Sequence, residues 1–320
     1  MTSSHWKTSD VSTDRTWEYV LSSDQRGELV DAARAAVGSG FTIGTLEAKS
    51  FPLPCLATLI DQWARDLAFG RGFVLIHGFP IEHLSEEEVQ LAYVGLGVHL
   101  GVPVGQNSNA DLITHIRDDR MEQTGRIRRL YRTRDRQDFH SDAADIIGLL
   151  CMHEAKLGGE SKIVSSPAVY AEMMRLRPDL VDELRAPLQW DRQDDHKEGQ
   201  QPWFTLAPIF EHNGEPRIFY VGWYIRNAQR HADVPRLTER QLEAMELLES
   251  ITNDPAFHLE MSFQPGDIQL LNNGRILHAR EAYDDWEDLD KRRHLLRLWL
   301  AAHTFTSLEE SLRTGIGSSS

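Results

Sequence analysis

Hydrophobic residues recur along this chain first at a helical period and then at the period of strands. After Pro54, the residues Leu56, Ile60, Trp63 and Leu67 fall on one helical face, and Gly70 and Gly72 stop the run. Gly72 to Phe79 then predicts a buried strand, because Phe73, Val74, Leu75 and Ile76 form an apolar block without alternation. A further helix is signalled by Ser85 as N-cap, with Glu86, Glu87 and Glu88 in a first turn where carboxylates meet the positive end of the helix dipole. Helix, strand and helix therefore precede residue 101.

From about Asp138 the pattern turns to strands. Asp145 to Met152 is apolar and β-rich, Glu160 to Ser165 is short and follows the turn-forming pair Gly158-Gly159, and Pro216 to Tyr224 carries alternating aromatics. Phe257, Leu259, Met261 and Phe263 alternate with His258, Glu260 and Ser262. Gln264 to Asp267 then turns the chain into a strand at Ile268 to Asn272, with Ile276, Leu277 and His278 continuing near its end. His294 to Ala301 is the last strong strand. Two helices interrupt the set, one from Ser166 and Pro167 through Met174, the other from the capping box Thr238/Gln241 through Ile251. Many short strands with peripheral helices predict an α+β, mainly β chain: a double-stranded β-helix (jelly-roll) core with flanking helices. No Gly-x-Gly-x-x-Gly or phosphate loop argues for a doubly wound sheet. Without a linker, repeat or low-complexity tract, the chain reads as one domain over residues 21–306 between tails at 1–20 and 307–320.

Composition narrows the partners. The 320 residues are 41% hydrophobic and 26% charged, within the range of a globular protein. Against 49 Asp and Glu stand 34 Lys and Arg, a formal charge of −15. That field disfavours nucleic acid and anionic membrane surfaces, so an anionic ligand needs a local arginine cluster. Self-association is left open. Cys55 and Cys151 make neither a disulfide framework nor a metal-type pair. A reducing compartment fits, and with no secretory pattern in Met1 to Asp14 and no apolar run long enough to cross a bilayer, a cytoplasmic location is expected.

The sharpest local chemistry is His140-Ser141-Asp142, where side chains two apart leave the same face of an extended segment. An imidazole and a carboxylate can then grip one ion. His231-Ala232-Asp233 repeats the spacing but lies in a polar stretch where a solvated loop is expected, and His258-Leu259-Glu260 reads as a solvated strand face. A third ligand must come from a distant strand, and His278 is the best candidate. Two imidazoles and one carboxylate on one face of a metal leave open positions on the other, the facial triad of non-haem Fe(II) oxygenases. Arg293 and Arg297, four apart on a strand and interleaved with Leu296 and Leu298, face inward together. Buried guanidiniums call for an anion, a ligand carboxylate or the acidic loop Asp284 to Asp290.

The ordered set His140-x-Asp142, Gly158-Gly159-Glu160-Ser161, His278, Arg293 and Arg297 resembles the taurine dioxygenase and clavaminate synthase-like group of Fe(II)/2-oxoglutarate-dependent oxygenases, from about Gly72 to Thr304. The resemblance implies that His140, Asp142 and His278 bind iron and that Arg293 anchors the distal carboxylate of 2-oxoglutarate. Ser161 stands where the family usually places a threonine hydroxyl against that carboxylate. Arg297 is then expected nearer the metal, toward the keto-acid end or the substrate. Asn272 and Asn273 either orient the distal histidine or a ligand, or close a turn. The implied reaction consumes dioxygen and 2-oxoglutarate, with ascorbate as a helper in vitro, releases carbon dioxide and succinate, and oxidises an unactivated C–H bond by hydroxylation, desaturation or ring closure. Arg117, Arg132, Trp223, Tyr224 and Arg226 are candidates for the pocket mouth and would suit a small carboxylate or amino-acid-like substrate. Two other readings are a keto-acid-independent jelly-roll enzyme, such as a cupin-type dioxygenase or isomerase, and a non-catalytic binding protein.

Overall fold

The computed structural model of the chain describes residues 4–118, 129–196 and 198–306. In chain order its two main sheets use β1 (Glu18–Val20), β2 (Phe73–His77), β3 (Gly101–Pro103), β4 (Ile113–Ile116), β5 (Gln137–His140), β6 (Ile146–His153), β7 (Ser161–Ser165), β8 (His258–Met261), β9 (Ile268–Asn272), β10 (Ile276–Arg280) and β11 (His294–Ala302). The larger sheet has seven strands in the order β1-β2-β9-β6-β11-β3, with β4 also paired to β11. The smaller has four, in the order β8-β7-β10-β5. Every pairing within them is antiparallel except β1 with β2. This is the predicted jelly roll.

Strand alternation sorts side chains between two kinds of core. Inward residues of both sheets, among them Phe73, Leu75, Ile147, Leu149, Ile163, Ile276, Leu295 and Trp299, fill the space between the sheets. Outward residues of the larger sheet, such as Val74, Ile76, Leu150, Leu270, Leu296 and Leu298, pack against the helices Ser23–Gly38, Ala57–Phe69 and Glu86–Gly97. The smaller sheet turns Phe139, Val164 and Leu277 toward the helices Ser166–Leu176, Pro178–Arg185 and Glu239–Asn253. Because helices cover the outer faces, strands such as β2 and β6 are apolar on both sides and read as unbroken runs rather than alternations.

Most element boundaries agree with the sequence to within a residue or two, and the departures have local causes. Ser85 and Thr238 cap their helices as predicted, by accepting from Glu88 and Gln241 main-chain N–H groups. The next helix is capped one residue earlier than expected, by Ser165, whose hydroxyl accepts from the Ala168 N–H. Pro216 to Tyr224 is not one strand: pairing ends at Ile218, and Gly222–Ala228 is a helix carrying Trp223 and Tyr224. His278 lies on a strand of its own in the opposite sheet from Ile268–Asn272, reached through the turn at Asn273 and Gly274. The helix Ser23–Gly38 was not anticipated; its capping box Ser22/Gln25 was a readable signal.

The expectation of a tail over residues 1–20 does not hold for residues 4–20. Trp6, Val11 and Trp17 are buried, the Trp6 and Trp17 rings lie 5.3 Å from Phe73, and β1 adds a parallel strand to β2. Three widely spaced apolar residues in a polar stretch give no periodic signal, yet each fills a gap over the sheet. The expected tail at 307–320 lies outside the described residues. Trp17, which also donates its indole N–H to the Val11 carbonyl at 3.0 Å, provides a check: Trp17→Ala should lower unfolding free energy by about 3–5 kcal/mol, read from the shift of a urea unfolding midpoint at unchanged slope.

Candidate metal centre

β5 and β10 are neighbours, and their register sets His140 directly opposite His278. Cross-strand partners lie close enough for their side chains to meet, and the two rings are 4.1 Å apart between centroids. Asp142 follows on an irregular turn that is held from two sides. Ser141 N–H donates to the Tyr220 carbonyl at 2.8 Å. Asp142 N–H donates to Asn273 Oδ1 at 2.9 Å, and the Asn273 amide donates back to the Asp142 carbonyl. Asn272 serves the other role considered, with Oδ1 accepting from Gly274 N–H at 3.0 Å to close the turn. Asn273 thus orients the acidic residue, not the distal histidine.

The three side chains converge in the space between the sheets. His140 Nε2 is 4.0 Å from Asp142 Oδ1, and His278 Nε2 is 3.8 Å from Asp142 Oδ2. One donor atom from each lies within 4.8 Å of the other two, the one such group among the described residues. Bonds of about 2.1 Å to one ion would set adjacent donors about 3 Å apart, about 1 Å inside the two carboxylate–imidazole separations. Protonation states suit this. His140 Nδ1 donates to the Asp138 carbonyl at 2.8 Å, which leaves Nε2 with its lone pair inward. Burial, against the pull of Asp142, pushes the His140 imidazole below its ordinary value, and burial with the neighbouring His140 takes His278 down to about 3. Burial opposes ionisation of Asp142, but Arg297, the two imidazoles and the Trp299 indole outweigh it and hold its carboxyl low. Two neutral imidazoles and a carboxylate are what a divalent first-row ion takes.

Arg297 lies on the carboxylate itself. Its Nη1 is 3.3 and 3.0 Å from the two Asp142 oxygens, and Trp299 Nε1 donates to Oδ2 at 3.1 Å. Gln106 steadies this arm by accepting from Arg297 Nε at 2.8 Å. Arg297 is thus beside the expected metal ligands, in an ion pair that its sequence position did not reveal. Trp299 and Gln106 were missed; Trp299 shares the inward face of Arg297 by alternation, whereas Gln106 comes from a loop with no pattern.

Arg293 stands at the entry to β11, buried, with Nη2 donating to the Gly159 carbonyl at 3.2 Å and Nη1 without a partner. Gly158 and Gly159 have φ of 78° and 80°, and a Cβ at Gly159 would meet Arg293 Nε at 2.9 Å. Glycine is needed there both for the backbone and for the passage of the arginine. The acidic loop offered as an alternative partner hydrogen-bonds the Arg293 main chain through Asp285, whose carboxylate acts on the guanidinium through space without an ion-pair contact. Ser161 gives its hydroxyl to Gln269 at 3.1 Å, and Ser161, Arg293, Arg297, His140 and His278 line one cavity. Gln137 belongs to the same wall, its amide 3.1 Å from His140 Nε2.

Other candidates take structural places. His231 lies in a loop, as expected, with Ala232 and Asp233 exposed, but its own ring is half-buried and pairs with the buried Asp191 at 3.0 Å. His258 is buried rather than solvated, because the helix Glu239–Asn253 ends over it and its Nδ1 meets the Thr252 carbonyl at 3.1 Å. Arg226 is bound to Glu249 through two contacts of 2.6 and 2.8 Å and does not line the cavity. Arg117 is exposed and Arg132 half-buried. Trp223 packs edge-on against the His140 ring at 5.1 Å, and the Tyr224 hydroxyl accepts from Arg129 Nη1 at 3.3 Å.

Comparison with known proteins agrees with this geometry. The family model described as taurine catabolism dioxygenase TauD, TfdA family matches residues 39–299. The chain is 32% identical to the FR-33289 synthase of Streptomyces rubellomurinus over 97% of this chain and 92% of that protein. It is 26% identical to a uridine-5′-phosphate dioxygenase of an Amycolatopsis species, covering 71% of this chain and 86% of that one. Among solved structures, an asparagine oxygenase in complex with Fe(II), 3-hydroxyasparagine and succinate superposes with a TM-score of 0.68 at 16% identity, over 89% of this chain and 93% of that one. The non-heme iron oxygenase OrfP, in complex with Fe and alpha-ketoglutaric acid, gives 0.64 at 14% identity, over 89% and 94%. The family match selects the first of the three readings: the chain belongs to the TauD/TfdA family and is an Fe(II)/2-oxoglutarate-dependent oxygenase.

Proposed function

We propose that this enzyme oxidises an unactivated C–H bond of a small anionic, amino-acid-like substrate, with His140, Asp142 and His278 as the iron ligands and Arg293 with Ser161 at the distal carboxylate of 2-oxoglutarate. The convergence of the two imidazoles and the carboxylate beside a buried, incompletely partnered arginine carries the reading. Bound Fe(II) and 2-oxoglutarate supply the oxidising power, with release of carbon dioxide and succinate. The chain's own work is to position and to exclude water. Arg297 and Trp299 hold the Asp142 carboxylate and draw charge from it, and Asn273 fixes its main chain. Ile116, Leu149, Phe263 and Leu295 line the cavity and keep it dry.

Trp223, Tyr224 and Arg129 support the substrate assignment. Arg129 joins the Tyr224 hydroxyl to Asp195, the latter at 3.1 Å. Burial raises the Tyr224 hydroxyl above its ordinary value, and it feels Arg129 and Asp195 on one side, Asp142 and Arg297 on the other. A phenol within electrostatic reach of Asp142 and Arg297, and the guanidinium that donates to it, suit an anionic group on the substrate. The name of the uridine-5′-phosphate dioxygenase and the hydroxyasparagine held by the asparagine oxygenase are compatible with a small polar substrate.

The deciding experiment incubates the enzyme with Fe(II), ascorbate and 2-oxoglutarate and screens amino acids, sulfonates, phosphonates and neutral analogues for stimulated succinate release. Stimulation confined to compounds that carry a carboxylate, sulfonate or phosphonate group is expected; a compound without any such group as the best stimulant would reject the substrate class. Asp142→Ala should lose Mn(II) binding in an anaerobic titration read by electron paramagnetic resonance, and lose turnover, while circular dichroism stays unchanged. Arg293→Ala should raise the KM for 2-oxoglutarate by about tenfold to a hundredfold, at about 1.4 kcal/mol per factor of ten. Arg129→Gln should raise the KM for an anionic substrate about tenfold while leaving that for 2-oxoglutarate in place.

A further inference from the structure

A second arginine reaches the keto-acid cavity from the opposite sheet. Arg280 stands two residues beyond His278 on β10, on the same inward face, and is 6% exposed. Its Nη2 donates to the main-chain carbonyls of Leu130, at 3.4 Å, and Asp135. Its Nε and Nη1 are buried without a hydrogen-bond partner, as is Arg293 Nη1. Both guanidiniums lie 5.1 Å from the Tyr283 ring, which contributes a cation–π contact to each. Among the described residues no carboxylate forms an ion pair with either. Burial and the neighbouring Arg293 push Arg280 down to about 10, still charged at neutral pH.

Two buried cations with three unpartnered donors between them are costly unless an anion joins them. A carboxylate offers two oxygens and about four acceptor sites, enough for these three donors. We infer that Arg280 is a second anchor for the distal carboxylate of 2-oxoglutarate and sets the selectivity for a keto acid that carries one. This rests on the reading of Arg293 as the first anchor. Arg293 comes from the larger sheet and Arg280 from the smaller, so the bound keto acid ties the two sheets together at the inner end of the cavity.

The test measures calorimetric affinities of the Mn(II)-loaded enzyme, without oxygen, for 2-oxoglutarate and for 2-oxopentanoate, which has the same chain length and no distal carboxylate. Arg280→Met should weaken 2-oxoglutarate about tenfold to a hundredfold and leave 2-oxopentanoate unchanged, with partial recovery in Arg280→Lys. Equal weakening of both keto acids would make Arg280 a support for the 130–135 segment and overturn the inference, as would unchanged 2-oxoglutarate affinity. Arg293→Met separates the two readings. If it weakens 2-oxoglutarate and Arg280→Met does not, only the second anchor fails; if neither does, the carboxylate site itself is misplaced. Should Arg280→Met not fold by circular dichroism, Arg280→Gln, which keeps donors for the two carbonyls, carries the same comparison.

Discussion

The site depends on one register. β5 and β10 pair so that His140 faces His278, and the side-chain period of two leaves no intermediate setting: a slip of one residue would turn His278 to the helix-covered face and bring Leu277 or Ala279 inward. The same register places Arg280 on the cavity side by regular alternation along β10, and the extra residue on the facing β5 lets Gln137 and His140, three apart, both line the cavity. The register is itself secured by burial on both faces. Leu277 is fully buried among the helices while Ile276 is fully buried between the sheets, so either error would desolvate charge and expose apolar surface together.

Charge placement follows the same economy. An acidic protein concentrates Arg280, Arg293 and Arg297 at one cavity, and they divide into two functions by what answers them. Arg297 has its counter-ion inside the protein, the Asp142 carboxylate, and with Trp299 it stabilises the ionised form of that side chain. Arg280 and Arg293 hydrogen-bond main-chain carbonyls and face the Tyr283 ring, and among the described residues neither forms an ion pair. The cavity therefore has one end where Arg297 is ion-paired to Asp142 and another where Arg280 and Arg293 lie side by side.

The support around Asp142 explains how a turn residue can be as well placed as one on a strand. Its main chain is clamped by the Asn273 side chain and its carboxylate is fixed by two donors from β11. Asn273 comes from the turn between β9 and β10, so the segment that delivers His278 also holds Asp142. Loss of that turn would disturb two of the three converging side chains at once.

The sequence by itself determined the chemistry that is local in the chain. His140-x-Asp142 follows from strand geometry, Arg293 and Arg297 from their spacing on an apolar strand, and the capped helices from hydrogen-bonding side chains at their starts. Each rests on contacts between near neighbours, which a periodic pattern records. What only the tertiary structure decided is which inward-facing polar group meets which. Alternation puts Arg280 on the face of His278, but nothing in the segment Leu277 to Glu281 tells that Arg293 and Tyr283 lie beside it, and Trp6 and Trp17 look like parts of a polar tail until Phe73 is beneath them. His258 sat on an alternating strand with no sign that a helix would end over it. Burial and partnership of this kind are set by packing between segments far apart in sequence, and local periodicity carries no record of it.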